Sequence, residues 1–261
     1  MNDRARRAPM GLGLSLCVCL GAVLGCDDKP DKAASSSAAS AEPSPAATVT
    51  PTPKKPAGPP DFEIDTLGAK VGFERALLDQ RDGHDTLVKL LKPTENFVDG
   101  QDVSLIVDRN AKLPWVVTFI TELGKLGAKH VVVKSETRKE YAPSLAFTPE
   151  LALKSPPDCS PVAMVLEDRG TAVWKLSGGV ATKHGKGMAG PDLSMTGDNI
   201  ERFAKGCKQS SILFVSAGPS VEWGLTYDLA VSAKTLDKVH FDTFVLLSET
   251  PVPGHKVELR H

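Results

Sequence analysis

Very little in these 261 residues has the residue types and spacing that covalent chemistry requires. Six histidines (His84, His130, His184, His240, His255 and His261) could bind metal or carry protons. They form no HExxH and no i, i+4 pair beside acidic ligands, so they read as solvated or capping side chains. Gly179 and Gly185-Lys186 come close to a phosphate-cradling loop. Five residues separate these glycines where four are needed, and Gly187 follows the lysine where a Ser or Thr belongs. No G-x-S-x-G occurs, so a nucleophile elbow lacks its sequence basis. Asp108-Arg109 and Asp168-Arg169 read as turn residues with local charge pairing. The expectation is a chain that is not an enzyme, with no metal site and no cofactor.

Cysteine chemistry is more informative, and it begins at the N-terminus. Arg4, Arg6 and Arg7 precede an uncharged run from Gly11 to Gly25, too short for a bilayer span and suited to a signal peptide. The run ends Val23-Leu24-Gly25-Cys26, which resembles the bacterial lipobox. That resemblance implies cleavage before Cys26, acylation of its sulfur and new amine, and a protein held to the bilayer by its acyl chains. The location expected is the bacterial cell envelope, facing the periplasm. Asp27 and Asp28 resemble the enterobacterial inner-membrane retention signal; other bacterial groups sort differently, so inner versus outer membrane stays open.

Processing leaves Cys159 and Cys207 as an even pair in an oxidising compartment, where a disulfide is the default. Their spacing matches neither a CxxC redox unit nor a four-ligand zinc site.

Between the anchor and the first apolar strand lie eight prolines, eight alanines and five serines, with Val49 the only large aliphatic residue. Such a segment cannot offset its ordering entropy and is expected to be a disordered tether. Lys and Arg total 31 against 32 Asp and Glu. The signal-like segment holds +2 of that balance (Arg4, Arg6 and Arg7 against Asp3), which leaves the rest at −3 of a formal −1. No basic stripe for nucleic acid is present, and 5% aromatics argue against stacking platforms for sugars or bases.

The remaining residues repeat themselves. Val103 to Val107 and Ile212 to Val215 are apolar strands, each with a tryptophan eight residues after its last valine (Val107 to Trp115, Val215 to Trp223). An amphipathic helix, a second apolar strand and Ser-Glu-Thr follow in both copies (135–137 and 248–250). Upstream of each lies a hairpin pattern, Phe62 to Leu78 and Val162 to Leu176, then a short helix at about 85–91 and 198–207. The expectation is α+β: two tandem β-β-α-β-α-β modules at 61–138 and 161–261, joined by a connector at 139–160. A signal peptide (1–25) and a lipid-anchored linker (26–60) precede them.

In this pattern the chain resembles the periplasmic domain of the ExbD/TolR biopolymer-transport family, in duplicate. The residues that carry the resemblance are Gly68, Val103 to Asp108, Trp115 and Gly127 to Val133 in the first copy, and Gly170, Ile212 to Ser216, Trp223 and Phe244 to Ser248 in the second. The second copy departs from it, with Ser216 where Asp is usual and no helix-stopping Gly before Phe241. The family's proton-carrying transmembrane Asp is missing as well, since Gly11 to Gly25 holds no carboxylate. The resemblance therefore implies only the interaction half of the family's role, in or derived from an energy-coupled biopolymer (protein) transport system. Its partners would be proteins of a Ton/Tol-like motor complex, or a second copy in a homodimer. Peptidoglycan, or another ligand of the envelope, is the alternative partner. The strands expected to be exposed for pairing are Val131, Val132 and Val133 in one copy and Phe244, Val245 and Leu246 in the other.

Overall fold

The computed structural model describes residues 58–188, 190–208 and 211–260. The signal-like segment, Cys26 and the tether up to residue 57 lie outside the described residues.

The first half opens with a tight hairpin, β1 (Phe62–Asp65) and β2 (Gly68–Val71), extended by β3 (Glu74–Ala76). Only glycine fits at Gly68, because its φ is +142° and a Cβ there would come within 2.3 Å of the Ala76 carbonyl oxygen. Helices α1 (Gly83–Leu91) and α2 (Glu95–Val98) lead to β4 (Asp102–Val107), α3 (Leu113–Lys125) and β5 (His130–Lys134). Pro114 in the first turn suits the start of α3, and its buried stripe is Trp115, Val116, Phe119, Ile120 and Leu123. Strand β6 (Ser144–Phe147) comes next.

The second half runs β7 (Pro161–Val165), β8 (Thr171–Lys175), β9 (Thr182–His184) and a small hairpin, β10 (Lys186–Gly187) with β11 (Gly190–Pro191). Then follow α4 (Leu193–Lys205), β12 (Ile212–Ala217), α5 (Trp223–Lys234) and β13 (Thr243–Leu246). Asp192 caps α4, its carboxylate accepting from the Met195 amide at 3.1 Å. The Cys159–Cys207 disulfide is formed, with a Cα–Cα distance of 5.3 Å. It ties the segment before β7 to the end of α4.

Two separate modules do not form. All strands but β10 and β11 join one mixed sheet of 11 strands, in the order β3-β2-β1-β4-β5-β6-β13-β12-β7-β8-β9. The order reads alike from both ends about β6, which runs antiparallel to β5 and parallel to β13. Two of the connector's four prolines, Pro143 and Pro149, flank β6 without interrupting its ladder, and Leu145 and Phe147 turn into the core. The strands expected as exposed edges, Val131 to Val133 and Phe244 to Leu246, are therefore interior, each paired on both sides. The edges are β3 and β9.

The loops that follow β4 and β12 meet across the same centre. Lys112 and Glu222 form an antiparallel bridge, and the Trp223 and Gly224 amides donate to the Ala111 and Arg109 carbonyls at 2.9 and 2.8 Å. Lys112 and Glu222 each immediately precede a helix. Trp223 therefore corresponds to Leu113, and the spacing that matched it to Trp115 was two residues out of register. Trp223 is fully buried against Phe147 and Tyr227, with ring centroids at 5.9 and 5.6 Å, while Trp115 lies beneath the Lys112 ammonium.

Arg109, expected to pair locally, instead reaches Asp228 with two hydrogen bonds of 3.0 and 2.8 Å. Thr137 Oγ1 donates to the same carboxylate at 2.6 Å, and Arg109 also donates to the Glu136 carbonyl. The Asp228 carboxylate, bonded to the guanidinium, holds the Arg109 pKa above its ordinary value. A Cβ on Gly224 would lie 3.1 Å from both Cβ and Cζ of Arg109, so a glycine leaves room for this crossing. The other pair, Asp168-Arg169, does form a turn, with Arg169 at φ 64°.

Candidate functional site

The four helices of nine residues or more lie on one face of the sheet, and the main core between them and the strands runs through both halves. The opposite face differs between the halves. In the second half it is apolar and covered. Trp174, Val162, Phe214 and Val245 stand in one cross-strand row, all fully buried. Val257 and Leu259 of the C-terminal segment pack over this cluster, together with Leu153 from before β7. Polar contacts pin the cover. Trp174 Nε1 donates to the His255 carbonyl at 3.0 Å, and the Glu150 carboxylate accepts from the Ser248 and Arg260 amides at 2.7 and 2.6 Å.

Among the described residues, the first half presents the same side of the sheet to solvent. Strand β4 alternates strictly: Val103, Leu105 and Val107 point to the core, while Asp102, Ser104 and Ile106 point out. Strand register aligns Arg75, Lys70, Glu63, Ile106, Lys134 and Ser144 across six strands. Ile106 is 51% exposed in the middle of this row, with a carboxylate on one neighbouring strand and an ammonium on the other. The next row is Ser104, Val132 and Ala146. Val132 thus belongs to an accessible face, although its backbone belongs to no free edge. Val131 and Val133 are buried beneath the helices, as are Phe244 and Leu246, and Val245 is sealed under the C-terminal segment.

Two grooves meet at Ile106. One of about 550 Å³ lies at the C-terminal ends of β4 and β5, lined by Glu63, Asp108, Asn110, Lys134, Glu136 and Pro143. The other, about 370 Å³, is lined by Pro59, Pro60, Phe97, Gln101 and Ser104, with Phe97 44% exposed. Charges beside them are held in a ladder. The Lys70 ammonium contacts Glu63 at 3.1 Å and Asp65 at 2.9 Å, and Arg75 Nη2 donates to Asp65 Oδ2 at 2.6 Å.

The Arg75 guanidinium, with help from Lys70 and the Leu67 amide, holds the Asp65 carboxyl far below the usual carboxylate range. A carboxyl depressed in the fold stabilises it at neutral pH, and that contribution is lost as pH falls from the unfolded value, about 3.9, towards the folded one. Asp65→Asn is accordingly expected to lower stability at pH 7 and to flatten the acid limb below about pH 4, read by urea unfolding across pH. Equal pH slopes in both proteins would refute the ladder's role.

The sequence suggests solvated or capping histidines; four of them instead pair with other side chains. His84 meets Glu122 at 3.0 Å, His130 meets Asp102 at 2.8 Å, His240 meets Asp242 at 3.2 Å, and His184 pairs with Asn199. Among the described residues no group of three or more His, Cys, Asp or Glu side chains could hold a metal ion, and no helix is long and apolar enough to cross a membrane. This face combines an apolar centre, flanking charges of both signs, and two grooves. The sequence matches no family model, and neither a curated protein nor a solved structure matches the chain.

Proposed function

We propose that this chain is a lipid-anchored, non-catalytic interaction protein of the bacterial envelope, of ExbD/TolR type, that binds a protein partner through the outer face of its first half. The observation that carries the proposal is the asymmetry of the sheet. One half closes this face with its own C-terminal segment; the other leaves Ile106 and Val132 open between two grooves. The residues that carry the resemblance, Gly68, Trp115 and Gly127 among them, support that type. The lipobox ending at Cys26 supports the anchor, and a Pro/Ala/Ser tether gives the folded part reach from the membrane. Without an acidic residue in its apolar N-terminal run, the chain would serve an energy-coupled transport system as a binding component and not as its proton carrier.

A photo-crosslinking residue at position 106 in living cells tests this directly. The expected product is a discrete protein adduct, absent when the crosslinker replaces Glu258 on the covered half. Ile106→Arg is expected to abolish capture of that partner while changing stability by no more than about 0.5 kcal/mol, since the side chain is exposed. Adducts only to sacculi, or capture unchanged in the arginine variant, would overturn the protein-binding proposal.

A further inference from the structure

On the helix-bearing side a second cleft opens between α4, α5 and the segment that follows β5. It encloses about 520 Å³ and is lined by Arg138, Tyr141, Leu193, Ser194, Asp198 and Leu236, among others. A smaller cavity of about 220 Å³ adjoins it, sharing Arg138 and Leu193. The larger volume falls within the range that small-ligand sites occupy.

The charges in these two cavities behave differently. Arg109 and Asp228 line the smaller one and satisfy each other at 2.8 Å, so neither is free to recognise a ligand. Asp192 Oδ1 is committed to capping α4, and the charge of this carboxylate adds to that of Asp198 on the wall where a ligand ammonium would sit. Arg138 and Asp198 remain. Among the described residues neither side chain makes a hydrogen bond or ion pair, and both are exposed at the cleft. They stand on separate elements, a guanidinium on the segment after β5 and a carboxylate in α4. Tyr141 adds a neutral phenol, its pKa pushed up by burial, and Ser194 a hydroxyl. Leu193, Leu236 and the Tyr141 ring supply apolar wall.

We propose that this cleft binds a zwitterion: an amino acid or a short peptide with both termini free. The ligand carboxylate would take the Arg138 guanidinium, whose planar fork matches it, and the ligand ammonium would take Asp198. The apolar wall would receive the side chain. A ligand of one sign would leave one of the two charges unmatched, and this favours a molecule that carries both. The site is independent of the sheet face proposed to bind a protein.

The test is titration of L-alanyl-L-alanine into the ¹⁵N-labelled, full-length mature chain, followed by amide shifts. Saturable shifts are expected at residues 138–141 and 193–198. The N-acetylated, C-amidated dipeptide should bind at least about tenfold more weakly, and Arg138→Gln and Asp198→Asn should each cost about tenfold, the scale of one charge-assisted hydrogen bond. Both positions are exposed, so melting temperatures should not move. Shifts absent from the cleft up to the solubility limit, equal binding of the capped peptide, or undiminished binding by both variants would each overturn the proposal.

Discussion

Replacing Arg109 by methionine is expected to destabilise the protein by about 3–5 kcal/mol, because it strands a buried carboxylate without its cation. Asp228 is 6% exposed at its side chain and, among the described residues, would keep only the Thr137 hydroxyl as a partner. The bond joins residues 119 apart and closes the seam where the two halves meet, so the loss should appear as a lower urea midpoint for the whole domain. Replacing the pair together, Arg109→Met with Asp228→Leu, is expected to recover much of that loss, since no charge then remains buried. A single variant that unfolds like the parent would show that the seam is held by the apolar contacts of Trp223, Phe147 and Tyr227 alone.

Removing the disulfide, by Cys159→Ser with Cys207→Ser, is expected to cost about 4 kcal/mol in the chain-entropy model for a closed loop of this size. The separation is 48 residues, all within the second half, and the first half has no cysteine. Where the loss is felt distinguishes one shared sheet from two modules. Because β6 pairs with both β5 and β13, a single transition is expected, with fluorescence from Trp115 and from Trp174 shifting together. Trp174 unfolding at lower denaturant while Trp115 holds its parental midpoint would mean that the halves are energetically separate.

Much of the local structure was legible in the residues. The hairpin at Gly68, the alternation of β4, the capping and stripe of α3 and the pairing of the two late cysteines all follow from short-range rules. The difference between the halves also has a sequence signal, which the reading of the copies as a repeat passes over. Ser104 and Ile106 alternate with core residues, as on a sheet open to water on one side, whereas Pro161 to Val165 and Ile212 to Ala217 are almost continuously apolar, as in strands covered on both sides. The helix expected from about 198 begins at Leu193, because Asp192 rather than Asp198 is its cap.

Amino-acid sequence by itself determined most of the long strands and helices, among them β4, α3, β5, β7, β12 and α5, and the apolar stripe of α3. These are properties of periods 2 and 3.6, written within a few residues. Tertiary structure alone decided that β6 inserts between β5 and β13, that Arg109 crosses to Asp228, that Trp223 corresponds to Leu113, and that Arg138 and Asp198 share a cleft. Each of these joins residues far apart in the chain, and no local period records a partner. Ser144 to Phe147 is a short alternating strand between prolines, as compatible with a loop as with a ladder. It becomes a strand because two apolar neighbours, each with an unpaired edge, stand on either side of it and their backbone groups must be satisfied.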